Sequence, residues 1–277
     1  ELYAQCTLDG YPEGRNFDET VWNRVQKMED NYQQGIRYMP VFNVHPKDEA
    51  TAEAKVKEEK TRLFMCGPID YTLYTRKYLL NFVRLVQNNK YTFESGPGTV
   101  CQSMEWEQLR DYLVKHGADR IVAGDYKQFD KGMLADFMLS AYFIIITLFI
   151  EAGASTETIM SICGIMYDTC FPVANFDGDI IEFFGSNPSG HPLTVIINGL
   201  VNALYVRYCY YEANPEKECD SFKKNVSLMT YGDDNIMGIS KNCPWFNHTK
   251  IQEILESIGI IYTMSDKTSC SVPYVHI

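Results

Sequence analysis

The chain is short of positive charge. Its 277 residues carry 25 Lys and Arg against 36 Asp and Glu, a net charge of −11. A basic surface spread over the whole molecule is thereby excluded, although phosphate responds to local clusters rather than to net charge. Zinc-site spacing is absent as well. Nine cysteines are present, an odd number, with no Cys-x-x-Cys pair and no Cys/His set at finger spacing. Reduced, mostly buried thiols of a cytosolic compartment are the expectation. No Gly-x-Ser-x-Gly turn occurs, which disfavours a nucleophilic serine, and no internal repeat or low-complexity tract is visible. The longest apolar run, 137–150, has 14 residues between Asp136 and Glu151. A bilayer needs about 20, so the run reads as a buried core helix. The sequence starts at Glu1 without methionine or signal peptide and stops at Ile277; a fragment of a longer polypeptide is the expectation.

What the chain does have is a substantial core. Hydrophobic residues make up 45% and aromatics 13%, enough for one large domain or two small ones. Helical spacing covers 20–34, 70–88, 104–116, 131–152, 156–168, 192–212 and 247–258. Strands are expected at 62–65, 120–125 and 260–264, with a hairpin over 171–184 turning at Asp177-Gly178-Asp179. This order suits an α+β fold, an antiparallel sheet with helices on one face.

Tyr231-Gly232-Asp233-Asp234 is the most informative stretch, set between Ser227–Thr230 and Asn235–Ile239. A hairpin turning there would hold two adjacent carboxylates on a tight, exposed tip. Such a pair is costly to keep together unless a divalent cation neutralises it. On turn chemistry alone most Gly-Asp turns are only turns. A second acidic cluster lies upstream: Asp125 ends a strand and Asp130 follows five residues on. Capping of the next helix by Asp130 explains that cluster equally well, whereas the alternating ligands of an EF-hand are missing. Between the clusters stands Ser189-Gly190-His191-Pro192, followed by Thr194 and Asn198 on one face of an apolar helix. That polar pair is either a solvated face or a stripe that recognises hydroxyls. Lys47, Lys55, Lys57, Lys60 and Arg62 form a basic ribbon with Glu49, Glu53, Glu58 and Glu59 interleaved. It reads as a solvated charged loop or as a phosphate-binding element in which Arg62 can make bidentate contact. Lys267 follows Asp266 after the last strand.

Taken in order, basic ribbon, Asp-x4-Asp, Ser-Gly with Thr and Asn, Tyr-Gly-Asp-Asp and Asp-Lys resemble the RNA-dependent RNA polymerases of positive-strand RNA viruses, closest to the picorna-like group. Gly185-Ser186-Asn187-Pro188-Ser189-Gly190-His191-Pro192 is similar to the marine, protist-infecting branch. The likeness runs from about Lys47 to Lys267. It implies a right-hand polymerase: fingers in 1–117, palm in 118–152, a fingers insertion in 153–188, palm again in 189–277, and no thumb. It implies two-metal-ion transfer of ribonucleotides to an RNA 3′-hydroxyl with magnesium, or manganese in its place. Asp125 and Asp233 match the metal ligands and Asp234 a supporting carboxylate. Lys267 matches the general acid for pyrophosphate departure. Asp130, Thr194 and Asn198 match ribose-checking positions, with Asn198 paired to Asp130, and Ser189 and Gly190 a loop that adjusts during nucleotide selection. Lys60 and Arg62 match triphosphate-holding finger residues, with Lys47 and Lys55 as further basic positions. Template and primer RNA, ribonucleoside triphosphates and other viral replication proteins are the implied partners, in the host cytoplasm at membrane-associated replication complexes. No membrane anchor is seen. The competing readings are a non-catalytic RNA-binding fragment and a reverse transcriptase, which would carry a bulky steric gate where this chain has Asp130 and Asn198.

Overall fold

The computed structural model describes residues 3–8, 11–50, 53–57, 61–267 and 270–277. Its elements begin with β1 (Tyr3–Leu8), β2 (Tyr11–Phe17), α1 (Glu19–Gln33), β3 (Val41–Pro46), α2 (Glu53–Lys57), β4 (Leu63–Cys66) and α3 (Ile69–Asn88). Next come α4 (Lys90–Phe93), α5 (Met104–Val114), β5 (Ile121–Tyr126), α6 (Phe129–Gly132), α7 (Ala135–Glu151) and α8 (Thr156–Cys170). The remainder is β6 (Val173–Phe176), β7 (Asp179–Glu182), α9 (Thr194–Ala213), α10 (Ser221–Asn225), β8 (Val226–Tyr231), β9 (Asp234–Ile239), α11 (His248–Ser257) and β10 (Tyr262–Met264). These elements form two compact units, Glu1–Asn81 with Phe143–Pro192, and Phe82–Tyr142 with Leu193–Ile277.

The first unit holds the β1-β2 hairpin and a sheet of order β4-β3-β6-β7. Its one parallel pair joins β3 to β6. Helices α1 and α8 meet through Tyr32, whose ring sits against Gly164 where no side chain would fit. Asp18 caps α1 by accepting from the Thr20 amide at 2.8 Å, leaving one fewer orphan donor in the first turn.

The second unit is built on the sheet β10-β5-β9-β8, antiparallel throughout. Side chains alternate across it. Thr230 and Asn235 turn toward α9, where Thr230 Oγ1 lies within 3.0 Å of the space beside Gly199. Tyr262 is fully buried and stacks on His248 of α11. On the other face α5 packs at Gly238, against which the Leu113 carbonyl is pressed, and its Tyr112 hydroxyl donates to the Leu228 carbonyl at 3.3 Å. Beyond these contacts the face stays open as a cavity of about 460 Å³ lined by Trp106, Leu109, Met229, Tyr231, Asp234 and Ile236.

Several expectations need correction. The helix expected over 131–152 is broken. Gln128 adopts a left-handed φ of 56° and Met133 is extended, so α6 ends after one turn and α7 starts anew. The Leu134 amide freed by the break donates to the Tyr205 hydroxyl at 3.1 Å. The apolar run inside α7 is only half buried: Met138, Tyr142 and Ile145 are covered, whereas Phe143 and Ile150 are exposed. Among the described residues the cysteines are not mostly buried, since Cys66, Cys101, Cys219 and Cys270 lie at the surface. Among the described residues no helix is long and apolar enough to cross a membrane.

Candidate active site

The Gly-Asp-Asp hairpin forms as its sequence demands. Tyr231 pairs with Asp234, leaving Gly232 and Asp233 as the two turn residues. Gly232 takes φ 63°, the positive angle that a two-residue hairpin turn needs at its first central position. Asp233 and Asp234 are both exposed. On the neighbouring strand Gly124 pairs with Asn235, so Asp125 comes level with Asp234 one step along and emerges on the same face. Asp125 is buried, with only 6% of its surface exposed.

Lys267 completes the cluster. Its ammonium lies 2.5 Å from Asp125 Oδ2, although its own side chain is 69% exposed. The hydrogen bond to Asp125 and the Asp125 charge raise the ammonium above its ordinary value, and the charges of Asp233 and Asp234 add to this. Loss of solvent raises the Asp234 carboxyl, and the like charges of Asp233 and Asp125 push it further; Lys267 opposes them. Three carboxylates and one ammonium therefore share one electrostatic environment.

These hard oxygen donors suit magnesium or manganese. Among the described residues no group of three or more His, Cys, Asp or Glu is gathered tightly enough to enclose a metal ion. The donors thus fit an ion that keeps waters and shares substrate phosphates rather than one held in a protein cage.

One residue of the site has no counterpart in the sequence reading. Asn202, buried on α9, donates from Nδ2 to the carbonyls of Gly232, Asp233 and Asp234 at 3.1, 2.9 and 3.2 Å. Its Oδ1 accepts from the Tyr126 hydroxyl at 3.0 Å. A single amide therefore ties the turn carrying Asp233 to the strand carrying Asp125. The signal was present, because Asn202 continues the Thr194, Asn198 stripe by one more turn. Glu94 is a second such residue. Its carbonyl accepts from the Thr230 amide and hydroxyl, each at 2.8 Å, and its carboxylate forks onto Arg207 at 2.6 and 2.9 Å. That clamp braces β8 just before the turn.

Asp130 sits within α6, where Gln128 and not Asp130 is the cap. Its carboxylate accepts from the Lys131 amide at 3.1 Å. Asn198 is buried on α9 and Thr194 is half-buried at its start. Ser189, Gly190 and the basic ribbon belong to the first unit. There the Ser189 hydroxyl accepts from the Met65 amide at 3.3 Å, and the Gly190 amide donates to the Met65 carbonyl at 2.8 Å. That carbonyl stands 2.3 Å from where a Cβ on residue 190 would be, so only glycine permits the approach. The Ser-Gly turn is thus stitched to the strand that follows Arg62. Arg62 itself is engaged with Glu49 at 3.1 Å, so the interleaved acid does neutralise part of the ribbon. The Arg62 carbonyl accepts from the Lys47 amide, which sets these two residues opposite each other. Lys60 and the side chain of Lys55 lie outside the described residues.

The family model for viral RNA-dependent RNA polymerase matches residues 9–276. The chain belongs to that family. It is 32% identical over 262 residues to the replicase polyprotein of Cricket paralysis virus, covering 90% of the chain and 15% of that polyprotein. It is 33% identical over 241 residues to the RNA1 polyprotein of Red clover mottle virus, covering 83% of the chain and 12% of that polyprotein. The chain therefore spans under a sixth of the length of these polyproteins. Among solved structures it is similar to a Sicinivirus 3Dpol RNA-dependent RNA polymerase, with a TM-score of 0.78 at 16% identity. That match covers 99% of this chain and 54% of the other. The polymerase fold and the picorna-like kinship expected from the motifs are both borne out.

Proposed function

We propose that the protein of which this chain is a part is an RNA-directed RNA polymerase of a picorna-like virus. In this reading it extends an RNA 3′-hydroxyl with ribonucleotides on an RNA template and releases pyrophosphate. The observation that carries the reading is the convergence of Asp125, Asp233, Asp234 and Lys267 at one end of the sheet, within a chain of this family. Asp125 and Asp233 would hold magnesium, with Asp234 in support. The ion would supply charge neutralisation for the attacking hydroxyl and the leaving phosphate.

The remaining work falls to the chain. Asn202 and the Glu94–Arg207 clamp keep the Asp233 turn in register with Asp125, so little reorganisation is needed at the moment of reaction. Lys267 Nζ is charged and beside Asp125, placed to give a proton to departing pyrophosphate. Asp130 and Asn198 check the ribose hydroxyl, with Thr194 on the same helix face, and this favours ribonucleotides over deoxyribonucleotides. Arg62, Lys47, Lys55 and Lys60 bind phosphate, and Ser189 and Gly190 adjust as nucleotide enters. Template, primer and triphosphates are the partners, with further replication proteins at membrane-associated complexes in the host cytoplasm.

The test is primer extension on an RNA template, using this chain within its full polymerase region, beside Asp233→Ala. Magnesium-dependent synthesis that vanishes in the variant is expected. Equal synthesis by both would overturn the site, and efficient synthesis with deoxyribonucleotides would overturn the ribose assignment.

A further inference from the structure

Lys267 is held in an unusual way. Its φ of 61° lies in the left-handed region that a side-chain-bearing residue rarely enters. The turn is closed by its amide donating to the Met264 carbonyl at 2.9 Å, directly after β10. The strand carrying that turn is paired to β5, with Thr263 opposite Asp125. The ammonium therefore reaches Asp125 from a fixed turn on the adjacent strand rather than by chance contact of a long surface chain.

An ammonium has donors and no lone pair. It satisfies a carboxylate as a cation does but cannot join a metal ion's ligand shell. With Nζ at 2.5 Å from Asp125 Oδ2, that oxygen is not free for a divalent ion. We infer that Lys267 is the resident counter-cation of the carboxylate cluster, holding the place on Asp125 that a divalent ion takes, so that ion binding and release of the lysine are one coupled event. The inference rests on the proposed metal role of Asp125 and Asp233. It adds that Lys267 weakens ion binding, keeps the like charges compatible until the ion arrives, and is set free only in the loaded site. Coupling of this kind is reciprocal: whatever draws Lys267 away, such as a bound polyphosphate, tightens the hold on the ion.

The test reads binding, not synthesis. Free Mn²⁺ is followed by electron paramagnetic resonance as it is titrated with this chain, with Lys267→Met, with Lys267→Arg and with Asp233→Asn. Lys267→Met is expected to bind Mn²⁺ roughly threefold to fivefold more tightly, the worth of one largely exposed ion pair. Lys267→Arg keeps the cation and is expected to bind no more tightly than the parent. Equal affinity in the parent and Lys267→Met, with weaker binding in Asp233→Asn, would overturn this inference and leave the metal site standing. Equal tightening by Met and Arg would also overturn it. Unchanged affinity in Asp233→Asn, or no Mn²⁺ binding by any form, would overturn the site reading and this inference together.

Discussion

Asp168 of the first unit and the Asp125 cluster of the second are carboxylates held in opposite ways. In the first, Asp168 has no exposed side-chain surface and is surrounded by donors. It accepts from the Tyr32 hydroxyl at 2.6 Å, Arg37 Nε at 2.8 Å, and the amides of Tyr38 and Met39 at 3.2 and 3.1 Å. In the second, Asp125, Asp233 and Asp234 crowd one end of the sheet around Lys267. A carboxylate whose lone pairs are all taken is a structural pin and has nothing left for a ligand. Carboxylates that repel one another are a stored cost, which becomes useful only when a cation or a developing charge relieves it. Burial alone does not separate the two cases, because Asp125 and Asp168 are both buried. The donors around them do.

That contrast can be broken most sharply at Asp233. Asp233→Asn is expected to lower nucleotide incorporation by a factor on the order of 10³ or more while leaving the thermal midpoint unchanged or raised, since a like charge is removed. Primer extension beside thermal melting checks both halves. A variant that lost activity by unfolding would place Asp233 with the pins. The reverse is expected at Asp168. Asp168→Ala leaves the Tyr32 hydroxyl and the Tyr38 and Met39 amides without their acceptor, while Arg37 keeps Glu182, and should cost about 1–3 kcal/mol in denaturant unfolding; a loss under about 1 kcal/mol, typical of surface changes, would end the comparison.

Asn202 is the middle case, structural in its bonds and functional in what it holds. Asn202→Ala leaves three turn carbonyls without their donor. It is expected to cost about 1–3 kcal/mol and to slow incorporation more than it weakens nucleotide binding. Steady-state kinetics separating kcat from KM checks this. The last case is a pH effect away from the site and concerns His191 of the first unit. Burial lowers its imidazole to about 3, so the folded state refuses a proton that the unfolded chain accepts. Stability is then complete above the ordinary value of 6.5 and is lost as pH falls toward 3. The slope is at most about 1.4 kcal/mol per pH unit. Denaturant unfolding across that range, beside His191→Phe, should show this component disappear in the variant.

Much of this was legible in the residues, and unevenly so. The Gly-Asp-Asp turn, Asp125 at a strand end and the Asp177-Gly178-Asp179 hairpin appear where their patterns put them, because turn chemistry is local. The β1-β2 hairpin was not among the expected strands. The helix break at Met133 was also missed: its freed amide is satisfied by Tyr205, 71 positions away. Asn202 looked like any asparagine in an apolar helix until the turn it holds stood beside it.

By itself the sequence determined most of the helices, the Gly-Asp-Asp and Asp177-Gly178 hairpins, the order of the motifs and, through that order, the family. These depend on short-range preferences and on residue identity. Only the tertiary structure decided which charges meet. It set Lys267 on Asp125, tied Gly232, Asp233 and Asp234 to Asn202, and gave Arg62 to Glu49. The physical reason is range: backbone preference acts over a few residues, whereas an ion pair or a hydrogen bond acts between atoms about 3 Å apart, however distant in the chain.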